Sequence, residues 1–529
     1  MKKNAIFILF GFFILGLILY SNILGSFFLS DDFQLIYSVK TNGPLGIWSS
    51  NSWSFFRPLI SLAFFIDYKL WGLNPTGYHL TNIFFHSLNA FFIFIMASLL
   101  LKKVDNYSNK NIVAFFSGFL FLAMPHHTEA VSWISGRCDV IATCLFLSSL
   151  CSFLFYKEYK KAAYLLLSLL FFLFGLFSKE SVIILPVLIV LFELFYGQVA
   201  GNKGGNKLFK PVLYTVYLYF IVGILYIPLR YFVLGRFIGG YGVRCHLNFD
   251  PSLILNNLFV YSMRAFLFPD PFAKVVFVLL SIGIILVVIL KIKSQLDKAR
   301  LIFLLAFSFI VSLIPIINLA PWTGDTQGER FIYLPSIFSS IIIAYLLNLL
   351  CINRKYFIGI FLSVLIICSV SLYDVNKNWN IAGRISRNII DSVKVFGKTN
   401  MLCIMNIPDD IQGAYIYRNG INHAFYLFAP PGMFNDMCIC LYHNIIKEDD
   451  VVDIVKIPDS NGYDVKLLRK GTFFYPVNMF NKTRAKCIVG NARIANSLNN
   501  SNVFFVLKEL KKGDRLIFYS QGAMKQYNF

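Results

Sequence analysis

Long apolar runs separated by short basic loops fill the first 373 residues, and the pattern stops at Tyr373. A helix needs about 20 mostly apolar residues to cross the hydrocarbon core of a bilayer. About eleven runs of that kind are expected, over 5–24, 79–101, 111–124, 139–156, 162–178, 181–196, 211–229, 272–290, 300–319, 331–350 and 356–373. With this count Lys2, Lys102, Lys110, Lys157, Lys203, Lys210, Lys291, Arg300 and Arg354 share one side, which the excess of Lys and Arg in short loops marks as cytoplasmic. Asp250 to Asp270 is apolar enough for a further span, but counting it would put the Lys291–Arg300 loop outside. It is expected instead to lie at the interface or to re-enter. The first run is expected to stay as an anchor, because an acidic pair follows it with no small-residue cleavage site.

After Tyr373 the spans cease and Asp, Asn, Lys and Gly rise. Ala414 to Tyr417, Ala424 to Leu427 and Asn502 to Leu507 read as short extended runs, with turn signals at Arg418-Asn419-Gly420 and Gly513-Asp514-Arg515. The expected fold is a polytopic α-helical membrane protein: a membrane domain over 1–373 and a small extracytoplasmic α/β domain over 374–529.

Composition agrees with a bilayer as solvent, since 57% of the 529 residues are hydrophobic and only 14% are charged. The net charge of +21 does not argue for nucleic acid, because the cytoplasmic cations are dispersed over six short loops. Arg57, Arg137, Lys179, Arg230, Arg236, Arg244 and Arg330 lie on the other side, where loop topology does not require them, and are candidates for binding an anion. Cys138, Cys144, Cys151, Cys351 and Cys368 read as small apolar fillers. Cys403, Cys438, Cys440 and Cys487 match no disulfide framework, and no bridge is expected.

Candidate chemistry concentrates on the outer side. Asp31 and Asp32 directly follow the first span; they are either a reactive pair or an N-cap with a solvated neighbour for a helix starting near Phe33. His79, Asn82, His86 and Asn89 recur at steps of three and four, so they share one helix face that must contact protein rather than lipid. The hairpin Pro125 to Asp139 crowds His126, His127, Glu129, Arg137 and Asp139 into one turn, open to reading as an ion-pair network, a divalent metal site or a substrate wall. Ser178-Lys179-Glu180 and Glu329-Arg330 each set a cation beside an acid, as a self-neutralising pair or as part of a charged cavity.

These residues in this order resemble the membrane half of the fold C (GT-C) glycosyltransferases, particularly the transmembrane and tetratricopeptide-containing protein O-mannosyltransferases. The resemblance runs from Asp31 to about Ser336. It is carried by Asp31-Asp32, Arg57-Pro58-Leu59, Gly72-Leu73-Asn74-Pro75 with His79, Asn82 and His86, and His127-Thr128-Glu129-Ala130-Val131. Gly136-Arg137 with Asp139, Ser178-Lys179-Glu180, and Glu329-Arg330 with Tyr333-Leu334-Pro335-Ser336 complete it. Met124 stands where that group commonly has His, and no tetratricopeptide array follows the spans. Residues 374–529 instead resemble the extracytoplasmic domains of bacterial members.

The resemblance implies a sugar donor on a polyprenyl phosphate and an acceptor hydroxyl on a protein, glycan or lipid, with no cofactor or metal assigned. It implies Asp31 as general base, Asp32 orienting or binding the acceptor, and Arg330, Arg137 and Lys179 on the donor phosphate. Arg57, His79, His86, His127, Glu129, Asp139, Glu180 and Glu329 would wall the substrate cavity. It also implies inversion at the anomeric carbon and a bacterial inner membrane, with the site facing the periplasm. The competing classes are a lipid-linked saccharide flippase, polymerase or ligase, a secondary transporter with acids deep in its spans, and a non-enzymatic scaffold.

Overall fold

The structure is a computed structural model that describes residues 2–45, 55–104, 109–199, 205–235, 248–266, 296–319, 325–351, 353–458, 462–475, 487–489, 501–507 and 513–527. The expected span at 272–290, and Arg236 and Arg244, lie outside the described residues. The chain is mostly helical with a small C-terminal sheet region. Six described helices are long and apolar enough to cross a membrane: Pro75–Leu101, Ile134–Tyr159, Glu180–Gly197, Tyr214–Leu234, Leu296–Ile316 and Arg354–Val395. Four shorter apolar helices, Ala5–Leu19, Lys110–Ala123, Ala162–Leu176 and Ser336–Leu350, accompany them. This is a multi-pass membrane protein.

The chain divides into two compact units. The first comprises Met1–Ser21, Pro44–Asp67 and Gly77–Val375; the second comprises Asn22–Gly43, Tyr68–Thr76 and Asn376–Phe529.

Proline at the first position opens the helices Pro58–Trp71 and Pro75–Leu101, where its missing N–H costs nothing. Large apolar side chains such as Phe7, Leu166, Ile224 and Phe303 stay exposed, as a lipid-facing surface requires. Between helices the contacts are small and polar: Ser149 Oγ donates to the Ser168 carbonyl at 2.7 Å, and Ser168 Oγ meets the Tyr219 hydroxyl at 2.5 Å. Lipid supplies no hydrophobic drive for helix association, so such hydrogen bonds and close packing hold the bundle.

Among its described residues the second unit carries ten strands: β1 (Thr399–Ile411), β2 (Ala414–Tyr415), β3 (Phe434–Ile445), β4 (Val452–Lys456), β5 (Gly462–Leu467), β6 (Phe474–Tyr475), β7 (Cys487–Val489), β8 (Asn502–Leu507), β9 (Arg515–Ser520) and β10 (Ala523–Gln526). One sheet has the order β10-β9-β1-β3-β6 with β2 paired to β1, and the other the order β4-β5-β8-β7. Strand β1 pairs in parallel with both β3 and β9, and its residues 401–411 are all buried, the mark of a central strand covered on both faces. Ala424 to Leu427, expected as an extended run, instead lies in the helix Ile421–Phe428. The spacing explains the correction: Ile421, Ala424 and Phe425 are buried at steps of three and one, which form one helical face, whereas a strand would alternate.

Candidate functional site

The hairpin of the first unit is built on close backbone approach. The helix Lys110–Ala123 ends at Met124, and single turns at Pro125–His127, Thr128–Val131 and Ile134–Gly136 lead into the helix Arg137–Tyr159. A Cβ on Gly136 would sit 2.4 Å from the Glu129 carbonyl oxygen, so only glycine lets the turn close this tightly. The polar stripe of the helix Pro75–Leu101 holds the hairpin in place. Asn82 Nδ2 donates to the Val131 carbonyl at 3.1 Å, and Asn89 Nδ2 donates to the Val140 carbonyl and to the Tyr333 hydroxyl, both at 3.0 Å. His86 Nδ1 meets the Tyr333 hydroxyl at 2.6 Å, while His127 Nε2 meets Ser336 Oγ at 2.7 Å. His79, His86 and His127 are all buried, and the aromatic centre formed by His86, His127 and Tyr333 joins three separate sequence regions.

Acids and cations adjacent in sequence do not pair with one another here. Lys179 binds Asp139, while Glu180 takes Arg57 in a two-pronged contact at 2.8 and 3.2 Å. Arg330 Nη1 donates to Glu129 Oε1 at 2.9 Å, its backbone N–H donates to Oε2 of the same carboxylate at 3.0 Å, and Glu329 turns to Arg264 at 3.2 Å. Arg137 donates to Asp67 at 2.7 Å and also to the Tyr78 and Ile134 carbonyls. The Lys179–Asp139, Arg57–Glu180, Arg330–Glu129 and Arg137–Asp67 contacts join oppositely charged groups, and burial strengthens hydrogen bonds of that kind.

Asp67 and Arg264 escaped the sequence reading. Asp67 carried a usable signal: it is the lone acid of the apolar helix Pro58–Trp71, and a charge in such a run demands a partner. Arg264 offered less, closing a helix of mixed character with its acidic partner 65 residues away.

Burial pushes the Glu329 carboxyl up to about 8; Arg264 opposes the rise, while Glu129 and Asp325 add to it. The folded state therefore keeps a proton that an unfolded glutamate sheds near pH 4.5. Stability from this group is full below that value and is lost as pH rises through 8. Glu329→Gln should accordingly weaken the alkaline decline of thermal stability between about pH 5 and 9. An unchanged decline, measured by unfolding midpoints in detergent, would assign it to other groups.

In the second unit, Ser30 precedes the helix Asp31–Asn42 with φ 46° and ψ −116°, a backbone conformation that costs a non-glycine residue. Asp32 is buried and accepts the Leu29 N–H at 2.9 Å, which fixes the turn entering the helix. Asp31 is only partly buried and accepts from Asn419 Nδ2 at 2.9 Å. The pair thus divides into one acid built into the turn and one presented beside it. The same unit has a cavity of about 320 Å³ walled by aromatic and charged side chains, among them Phe27, Asn74, Arg387, Asp391, Lys394 and Phe428.

For metal, the one grouping of three ligand atoms found among the described residues is Cys403, Cys438 and Cys440. All three are buried in an apolar core with Val465, Leu467 and Val503.

No family model matches the chain. It is similar to protein O-mannosyl-transferase F38B6.6 of Caenorhabditis elegans, 25% identical over 64% of this chain and 51% of that protein. Protein O-mannosyl-transferase tmtc2 of Xenopus laevis is 29% identical over 42% of this chain and 29% of its own length. Protein O-mannosyl-transferase TMTC2 of Homo sapiens is 35% identical over 26% and 17% respectively. The chain therefore resembles the protein O-mannosyl-transferases, and it spans about half the length of the first of these relatives and less of the others.

Proposed function

We propose that this protein is an inverting glycosyltransferase of the fold C type, moving a hexose from a polyprenyl phosphate to an acceptor hydroxyl on the outer face of the membrane. The membrane domain would be residues 1–373 and the extracytoplasmic domain 374–529. The observation that carries the reading is Arg330: a guanidinium with 17% of its side chain exposed, clamped by the fully buried Glu129 carboxylate, in a chain similar to named mannosyl-transferases.

Asp31 takes the acceptor proton, the freed oxygen attacks the anomeric carbon from the face opposite the phosphate, and the bond from that carbon to the phosphate oxygen breaks. The lipid phosphate leaves with the electron pair, and its growing charge is met by Arg330. Fixed cations in a water-poor site stabilise such charge far more than they would in bulk water. Lys179 and Arg137 are the further phosphate contacts; their side chains are only 4% and 0% exposed, so Arg330 is the first choice. Arg57, His79, His86, His127, Glu129, Asp139, Glu180 and Glu329 are the proposed walls of the substrate cavity. The relatives' names specify mannose and a protein acceptor, which makes those the first substrates to try. A bacterial inner membrane with the site towards the periplasm is the proposed setting.

Arg330→Ala should lower transfer by about 100- to 1000-fold. Arg330→Lys should recover part of that loss, because it keeps the charge without the two-pronged fork. Initial rates in membranes of matched protein content, with mannosyl polyprenyl phosphate as donor, measure both. Wild-type rates in Arg330→Ala would remove the proposed phosphate contact. Translocation of the donor without any transfer would favour a flippase.

A further inference from the structure

Within the second unit, the backbone that presents Asp31 is clasped by a single turn of the C-terminal residues. The Ser30 N–H donates to the Ile416 carbonyl at 2.9 Å, and the Asn419 N–H donates to Ser30 Oγ at 3.2 Å. Tyr417 stacks on Phe33 with centroids 5.7 Å apart and planes 13° apart, and its hydroxyl donates to the Ser386 carbonyl at 2.9 Å. Gly420, at φ +83°, lies so close that an added Cβ would sit 2.2 Å from the Ser30 carbonyl oxygen. The turn is itself anchored at the end of β1, where Arg418 Nε donates to the buried Asp409 carboxylate at 3.1 Å. Ser30 keeps its costly φ of 46° within this frame, and strain of that kind persists only where the surroundings over-determine it.

We propose that the Arg418-Asn419-Gly420 turn positions Asp31, with Asn419 Nδ2 fixing the carboxylate rotamer that receives the acceptor proton. The inference rests on the reading of Asp31 as general base. Asn419 is then a positioning residue: it holds one oxygen of Asp31 by a hydrogen bond and takes no part in the bond changes. Arg418 holds the turn to the sheet, and Gly420 lets the turn approach the Ser30 backbone. A base misplaced by about 1 Å can cost on the order of 100-fold in rate, so the clasp acts on turnover rather than on donor affinity.

Asn419→Asp is the decisive variant, because it keeps the size and shape of the side chain while removing the N–H donor. Turnover should fall by about 10- to 100-fold with the KM for mannosyl polyprenyl phosphate unchanged, whereas a pure packing role predicts turnover near wild type. Asn419→Gln, which retains the donor on a longer arm, should recover part of the loss. If repulsion from Asp31 lowers the abundance of Asn419→Asp, combining it with Asp31→Asn restores a donor–acceptor pair in reverse. That double variant should regain abundance but not transfer. Full turnover in both Asn419→Asp and Asn419→Ala overturns the proposal, as does a raised KM with unchanged turnover. Activity in Asp31→Asn alone would instead overturn the base assignment, so the two failures are distinguishable.

Discussion

Asp31→Asn, compared with wild type at matched membrane abundance, should lower sugar transfer by about 100- to 10,000-fold, the span that a positioned general base contributes. Asp31 is only partly buried, and the amide oxygen that replaces its carboxylate oxygen can still accept from Asn419 Nδ2. Donor binding should therefore persist, which equilibrium binding of a labelled polyprenyl phosphate sugar can check. Asp32 is the contrasting case. It is 1% exposed and its carboxylate is spent on the Leu29 N–H, so Asp32→Ala should lower abundance as well as activity. Full transfer by Asp31→Asn would leave the reaction without its proposed base.

Arg137→Ala should destabilise the protein by about 3–5 kcal/mol, the cost of breaking a buried ion pair from one side. Both side chains are nearly inaccessible, at 0% and 4% exposure, so Asp67 would be left charged in the bundle. The same change removes a donor from the Tyr78 and Ile134 carbonyls and a guanidinium lying 4.2 Å over the Phe64 ring. Arg137→Lys should rescue only part of this, because an ammonium cannot serve three acceptors in a planar fork. Removing both charges together, with Asp67→Leu and Arg137→Met, should recover most of the stability. Unfolding midpoints in detergent measure the series. A midpoint in Arg137→Ala equal to wild type would contradict the buried pair.

The sequence made the helical stripe readable because helix geometry alone puts His79, Asn82, His86 and Asn89 on one face, and in the folded chain all four are buried. It made the charged residues at the edges of the apolar runs visible as a set, since charges there are conspicuous. It did not reveal who pairs with whom. Lys179 lies beside Glu180 but binds Asp139, 40 residues away, and Arg330 lies beside Glu329 but binds Glu129, 201 residues away. Neighbours on a chain can always touch, whereas a distant pair forms only when helix packing delivers both groups, and no local pattern encodes that packing. The run Ala424 to Leu427 failed for a different reason: four apolar residues fit strand and helix alike until their neighbours are counted. The turn at Arg418-Asn419-Gly420 was legible as a turn, while its contact with Ser30 and Asp31, nearly 390 residues away in the chain, was not.

Transfer of radiolabelled mannose from mannosyl polyprenyl phosphate to acceptor protein, in membranes containing this protein and in membranes lacking it, tests the account most directly. Label is expected on the acceptor only where the protein is present, with the lipid phosphate released in equal amount and the new linkage inverted relative to the donor. Equal labelling in both membranes, or labelled product that retains the donor configuration, would contradict it.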